Sequence, residues 1–333
     1  FEINLKDETD LVTVGDTAYK VAMNNMLDND VLRDMVSWFT PIYNTKEKLW
    51  NTYQSLQNQT NPYWEWVIVN DSTDGNKTIS IAEQIAKSDP RVKLYDFVTK
   101  SGGIVGESKY RAAVLCKGEL LAELDHDDYL TPDATQLLYD AMEAYPDAGF
   151  YYSDGVEVNE QWESLQYGEG FALGYGEYRD ESSMGVDFKV QITPNINPKT
   201  IRHIVGVPNH IRAWRRDTYF KIGGHNRGLT IADDYELIVR TFLETKLCLI
   251  PKLAYVQFIY DDSSGTNTHN TSRRDIQRRV RTVMEHYNTR IAQRFVELGK
   301  VDWAYDQNPQ WPTQVESRYG KDEGYVNYRF EVN

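Results

Sequence analysis

The chain has 333 residues, 36 Lys and Arg against 50 Asp and Glu, and a formal net charge of −14 at pH 7. That length supports a sizeable core in one large domain or two, and the acidic balance excludes a general binder of nucleic-acid backbones. No apolar run approaches the ~18–20 residues that span a bilayer, and Cys116 and Cys248 sit in apolar contexts that suit free thiols in a reducing compartment, so a cytoplasmic location, at most peripheral to a membrane, is expected.

Residues 1–34 are polar and acidic, with a helix-compatible stretch at 21–32, and are expected to form an N-terminal extension. Residues 36–44 read as a strand ending in a turn marked by Pro41. Residues 46–57 place Leu49, Tyr53 and Leu56 at helical spacing. A second strand at 64–71 contains Val67, Ile68 and Val69, the continuous run of a strand buried on both faces. A polar turn at 70–75, a helix at 78–87 and a third strand at 92–97 follow. Gly102 and Gly103 then open a loop before a helix at 106–116 that carries Lys109 and Arg111.

Leu120, Leu121, Ala122 and Leu124 form a short apolar strand that ends abruptly in Asp125, Asp127 and Asp128, before a helix at 132–145 and a strand at 148–154. Three carboxylates in four residues repel one another and are costly to desolvate. A divalent cation relieves both problems, and hard oxygen ligands favour Mg²⁺ or Mn²⁺, which keep waters and bind substrate phosphates. The competing reading is a solvated turn capping the next helix.

Four strand–helix alternations predict an α/β fold, a mostly parallel sheet flanked by helices on both faces with right-handed crossovers. Tyr43, Asn44, Asp71, Asp74, Asp125, Asp127 and Asp154 fall at strand ends, which in a parallel sheet share one edge and line one crevice. The glycine-rich P-loop and dinucleotide fingerprints are both absent.

The Gly- and Tyr-rich segment 157–202 reads as an irregular insertion, mobile until something binds. Residues 203–214 return to a strand-like pattern, and a short helix at 217–222 is closed by Gly223 and Gly224. Asp233 and Asp234 lie near the start of a helix that runs to 242, where one is expected to serve as cap and dipole partner and leave the other available. One or two strands follow at 247–260, then a polar loop with His269. A basic amphipathic helix at 273–298 is suited either to a diphosphate or anionic partner or to salt bridges with the acidic bulk, and a tail closes the chain.

Taken together, these segments resemble the family 2 glycosyltransferases of the GT-A fold. Pro41-Ile42-Tyr43-Asn44 resembles the first-strand motif of that family. Residues 55–60, 69–74, the Asp125-His126-Asp127-Asp128 run with Thr131-Pro132-Asp133, residues 152–154 and residues 232–237 match its later motifs in order. The resemblance implies a metal-dependent, inverting transfer of a sugar from a nucleotide-diphosphate donor, most commonly a uridine one. Pro41, Tyr43 and Asp71 would then sit by the nucleobase and Asp125 by the ribose and metal. Asp127 and His269 would hold Mn²⁺ or Mg²⁺, Lys109 or Arg111 would meet the diphosphate, and Asp234 would be the general base. The Trp-containing signature of processive synthases is missing after Gln277.

The implied division is an extension at 1–34, a nucleotide-sugar half at 35–154, an acceptor and base half at 155–272, and a C-terminal basic helix and tail at 273–333. Asn209, His210, Trp214 and Asp233 are candidate acceptor contacts, for a glycan, lipid-linked or other hydroxyl acceptor. Two other readings remain: a sugar-nucleotide nucleotidyltransferase, which would want a Gly-rich basic loop after the first strand, and a non-catalytic nucleotide- or sugar-binding module.

Overall fold

A computed structural model describes residues 12–14, 31–168, 171–260, 273–305 and 327–332. The elements in chain order are β1 (Val12–Val14), β2 (Leu32–Ile42), α1 (Leu49–Gln57), β3 (Trp64–Asn70), α2 (Lys77–Ser88), β4 (Val92–Phe97), α3 (Val105–Leu115), β5 (Gly118–Glu123), β6 (Tyr129–Leu130) and α4 (Ala134–Ala144). There follow β7 (Ala148–Val158), β8 (Glu177–Ser183), β9 (Val186–Ile192), α5 (Thr200–His203), β10 (Arg212–Arg215), α6 (Arg216–Lys221), α7 (Asp233–Glu244), β11 (Lys246–Phe258), α8 (Arg273–Glu297) and β12 (Tyr328–Arg329). The chain divides into two compact units, Phe1–Glu143 with Ala213–Thr230, and Ala144–Arg212 with Ile231–Asn333.

In the first unit the strand order is β1-β4-β3-β2-β5-β10, parallel throughout except for β10, which runs antiparallel to β5. Every residue of β3 is buried, as its unbroken apolar run requires when helices cover both faces. The core carries four buried tryptophans here, Trp38, Trp64, Trp66 and Trp214. Trp66 Nε1 donates to Thr40 Oγ1 at 2.7 Å, and Thr40 Oγ1 in turn donates to the Leu124 carbonyl at 2.6 Å. This relay ties β3 through β2 to the residue that precedes Asp125, so the core itself sets where the acidic turn begins.

In the second unit β7 and β11 pair in parallel from Lys246 opposite Ala148 to Phe258 opposite Val158, with β12 parallel on the other side of β11. The expected irregular insertion is instead partly a hairpin. β8 and β9 pair antiparallel from Glu177 opposite Ile192 to Ser183 opposite Val186, and Gly155 of β7 pairs with Gln191. Its two-residue turn, Met184-Gly185, has φ of 56° and 77°, the positive pair that matches strand twist. Asp154, expected at a strand end, instead lies inside β7, which runs on to Val158, and it anchors this hairpin: it accepts from the Thr193 N–H at 2.8 Å and pairs with Arg179.

The strand expected across 203–214 is confined to β10; residues 200–203 form α5 instead. The basic helix α8 buries Val280, Met284, Tyr287, Ile291 and Phe295 at helical spacing, while Arg274, Arg278 and Arg281 face solvent. No helix among the described residues is long and apolar enough to cross a membrane. The helix expected at 21–32 falls outside the described residues except at its end, where Leu32 opens β2.

Candidate active site

The acidic turn is held by α1. Thr52 Oγ1 donates to the His126 carbonyl at 3.0 Å, and Asn58 Nδ2 to the Tyr129 hydroxyl at 3.2 Å. Gln59 Nε2 donates to the Ser55 carbonyl at 2.9 Å and the Thr131 carbonyl at 2.8 Å, while its Oε1 accepts from the Thr135 N–H at 2.9 Å. Thr60 N–H reaches the Pro132 carbonyl at 2.7 Å. Residues 55–60, singled out in the sequence as a motif, are therefore a brace that fixes the backbone on which Asp125, Asp127 and Asp128 sit.

Of these carboxylates Asp128 is buried, and Asp125 and Asp127 are half-buried. Burial pushes the Asp127 carboxyl above the ordinary carboxylate range; His126 and Lys48 oppose the rise, and the Asp125 carboxylate adds to it. His126 Nδ1 lies 3.6 Å from Asp127 Oδ1. Among the described residues no group of three or more His, Cys, Asp or Glu side chains gathers as a cage for a metal. Mg²⁺ is typically bound through one or two carboxylates plus substrate phosphates rather than by an all-protein cage. The donor set at Asp125 and Asp127, two crowded hard-oxygen ligands, fits a cation of that kind. His269 lies outside the described residues.

At the end of β3, Asp71 is buried and accepts three hydrogen bonds: from the Ser101 N–H at 2.7 Å, from Ser101 Oγ, and from Ser108 Oγ at 3.0 Å. A carboxylate offers about four lone-pair sites, so Asp71 both fastens the Ser101–Gly103 loop and keeps room for one more donor. Asp74 is accounted for differently. It accepts from the Thr78 N–H at 3.1 Å and from Thr78 Oγ1 at 2.6 Å, and so caps the first turn of α2. Tyr43 is 47% exposed beside Asn44, whose amide bonds Thr73, and Pro41 pairs in register with Val69.

Neither basic candidate on α3 hangs loose. Arg111 is pinned by Glu107 at 2.7 Å, by the Thr99 carbonyl at 2.6 Å and over the Phe97 ring at 4.8 Å. Lys109 is buried and donates to Glu123 Oε1 at 3.3 Å. Glu107 also receives the Arg227 guanidinium. The Arg227–Glu107 pair was invisible in the sequence, because the two residues are 120 apart.

In the second unit, Asp233 and Asp234 are the first two residues of α7, where carboxylates meet the positive end of the helix dipole. The N-cap position itself is taken by Ala232, at φ 55°, rather than by either aspartate. Asp234 Oδ1 accepts from the Tyr235 N–H at 2.7 Å, and Oδ2 accepts from Arg212 Nη1 at 2.9 Å. Its side chain is 21% exposed, whereas Asp233 is buried.

Among the acceptor candidates Asn209 is half-buried and His210 is buried, stacked on Tyr255 at 4.6 Å. Trp214 is corrected. At 1% exposure it is a core residue in register with Leu121, its ring edge-on to Tyr219 and His225. Its place beside Asn209 and His210 made it an acceptor candidate, but β10 buries it against β5.

Parallel strands whose C-terminal ends carry Asp71 and the braced Asp125–Asp128 turn, flanked by helices, define an α/β fold with its polar residues gathered at the edge where such sheets place ligands. The solved structure of S. aureus TarS 1–349 in complex with UDP-GlcNAc superposes with a TM-score of 0.54 at 15% identity, covering 79% of this chain and 73% of that one. The fold is thus that of the GT-A glycosyltransferases. The model described as Glycosyl transferase family 2 matches residues 37–200, which marks that segment as similar to the family's transferase domain. It is 22% identical over 241 residues to the chondroitin synthase of Pasteurella multocida (strain Pm70), covering 72% of this chain and 22% of that protein. It is 26% identical over 271 residues to an uncharacterized glycosyltransferase of Haemophilus influenzae, covering 78% and 79%. The chain spans well under half the length of the first curated relatives it matches.

Proposed function

We propose that this chain transfers a sugar from a nucleoside-diphosphate donor, a uridine one in the first instance, to a hydroxyl of a glycan or lipid-linked acceptor, with inversion at the anomeric carbon. The observation that carries the reading is the acidic turn Asp125–Asp128, fixed by the α1 brace inside the segment that matches the family. The solved TarS complex with UDP-GlcNAc supports a uridine donor.

Donor handling falls to residues 35–154. Asp71 has a remaining acceptor site for a nucleobase N–H, Tyr43 offers an exposed ring to stack on it, and Pro41 shapes the strand end beneath. Asp125 and Asp127 would hold Mg²⁺ or Mn²⁺, with His269 a candidate further ligand. Such an ion, when bound, supplies Lewis-acid stabilisation of the leaving diphosphate. Lys109 and Arg111 add positive charge on the same unit. Residues 155–272 supply the acceptor side. Asp234, partly exposed and ionically paired, takes the proton from the attacking hydroxyl. Direct displacement needs one base and no second carboxylate.

The test is a thermal-shift screen of UDP, GDP and their sugars, each with Mn²⁺ and with EDTA. A nucleotide at ~100 times its dissociation constant stabilises the fold by about 2.7 kcal/mol. A metal-dependent shift with one nucleotide supports the reading. Folded protein that responds to none of them sinks it.

A further inference from the structure

Arg212 is 2% exposed, yet its guanidinium is aimed at a carboxylate that reaches solvent. Nη1 donates to Asp234 Oδ2 at 2.9 Å, and Nη2 lies 2.7 Å from His210 Nε2. A guanidinium has donors only, so His210 Nε2 accepts and the His210 proton sits on Nδ1. The imidazole is itself fixed, stacked on the buried Tyr255 ring of β11 at 4.6 Å and 17°. Asp234 is thus gripped at Oδ2 by a cation whose second arm is seated on a stacked ring, and at Oδ1 by the Tyr235 N–H.

We infer that Arg212 is a positioning residue for the transfer reaction: it holds the Asp234 carboxylate in one orientation, with His210 and Tyr255 as the seat that keeps the guanidinium from swinging. A base acts only when a lone pair points at the proton it removes, and misplacement of about 1 Å costs on the order of 100-fold in rate. Contacts at both Oδ1 and Oδ2 fix the plane of the Asp234 carboxylate. This inference rests on the assignment of Asp234 as the base.

The experiment uses the full chain and measures nucleoside-diphosphate release from UDP-glucose, UDP-galactose, UDP-N-acetylglucosamine, UDP-glucuronate and GDP-mannose. Each donor is offered p-nitrophenyl glycosides as acceptors, with Mn²⁺. With the active pair, Arg212→Gln is expected to lower kcat about 100-fold and to leave the donor KM within about twofold. Arg212→Lys, which keeps the cation but loses the fork, recovers part of the rate. On an Asp234→Asn background, Arg212→Gln adds no further loss, because the two side chains act as one unit. His210→Phe keeps the stack on Tyr255 and removes the acceptor for Nη2. It is expected to lower kcat with the donor KM held, which covers the case in which Arg212→Gln does not fold. Asp234→Asn with full activity, or a folded parent chain inactive with every pair, overturns the base assignment and this inference with it. If Asp234→Asn is inactive but Arg212→Gln, or Arg212→Lys and His210→Phe, keep the parent kcat, the inference falls alone. Losses that add, or that appear in the donor KM, also remove it.

Discussion

Glu123 Oε1 lies 2.7 Å from His225 Nε2, with the two side chains 1% and 0% exposed. Tyr219 OH is 2.7 Å from His225 Nδ1 on the far side of the ring, and Lys109 reaches the same Glu123 oxygen. β5 thus places a carboxylate where its neighbours Leu121, Ala122 and Leu124 are apolar, and His225 meets it among Phe39 and Trp214. Removing the His225 ring nitrogens strips a buried carboxylate of a hydrogen bond, which costs about 1.5–3 kcal/mol. His225→Phe, which keeps the ring, is expected to destabilise the chain by that order in urea unfolding. The Glu123→Leu/His225→Phe double variant should lose less than the sum of the singles, with a coupling of at least about 1 kcal/mol. Single losses that simply add would show that the pair does not act as one element.

Glu107 gives the pH dependence. Burial pushes its carboxyl up, but the hydrogen bonds and charges of Arg227 and Arg111 outweigh burial, so the folded pKa lies below the ordinary 4.5. A depressed carboxyl contributes stability that is fully present above the unfolded value and is lost as pH falls through the folded one. Glu107→Gln is therefore expected to destabilise at pH 7, by about 2 kcal/mol on the scale of charged hydrogen bonds. The gap to the parent should close as pH drops below 4.5. A gap that stays constant from pH 7 to 3 would contradict the assignment.

The same helix carries a packing constraint. A Cβ on Gly106 would lie 2.1 Å from the Asn226 carbonyl oxygen and 3.0 Å from its carbon, and the Gly106 N–H bonds the Leu229 carbonyl at 3.1 Å. Alanine is worth roughly 1 kcal/mol more than glycine in a helix interior, but here it must displace backbone. Gly106→Ala should destabilise by about 1–3 kcal/mol in urea titration. A neutral or stabilising result would mean that the 226–229 segment yields without cost.

These relationships mark where the sequence stopped being readable. The Val67-Ile68-Val69 run and the heptad-like stripe of α8 announced themselves, because burial on both faces or on one stripe leaves a local pattern. The acidic turn was legible for the same reason: three carboxylates within four residues need no partner to be noticed. β8 was not, since its residues are half-buried or exposed and show no apolar period. The alternation of Val186, Phe188, Val190 and Ile192 before a turn with Gly185 was the available signal, disguised by Met184 where Asn or Asp is usual. The 102-residue span from Glu123 to His225 and the 22-residue span from Arg212 to Asp234 leave no local trace. Pairings of that kind are set by topology, and Trp214 was misplaced for want of the same information.

Asp127 separates stability from ligand response. Burial and the Asp125 carboxylate push its carboxyl up even though His126 and Lys48 oppose the rise, so an ionised Asp127 is held at a cost in the ligand-free chain. Neutralising it removes that cost without leaving a cavity, so Asp127→Asn should unfold at the same temperature as the parent or slightly higher. The nucleotide response should move the other way. If Asp127 helps to hold the cation that accompanies the diphosphate, loss of one hard ligand weakens binding by at least about tenfold, or 1.4 kcal/mol. The Mn²⁺-dependent part of the UDP shift should then shrink accordingly, while the shift seen in EDTA stays as it was. Equal UDP shifts in parent and variant with Mn²⁺ would detach Asp127 from the metal. A variant that loses stability even without ligand would make the residue part of the scaffold.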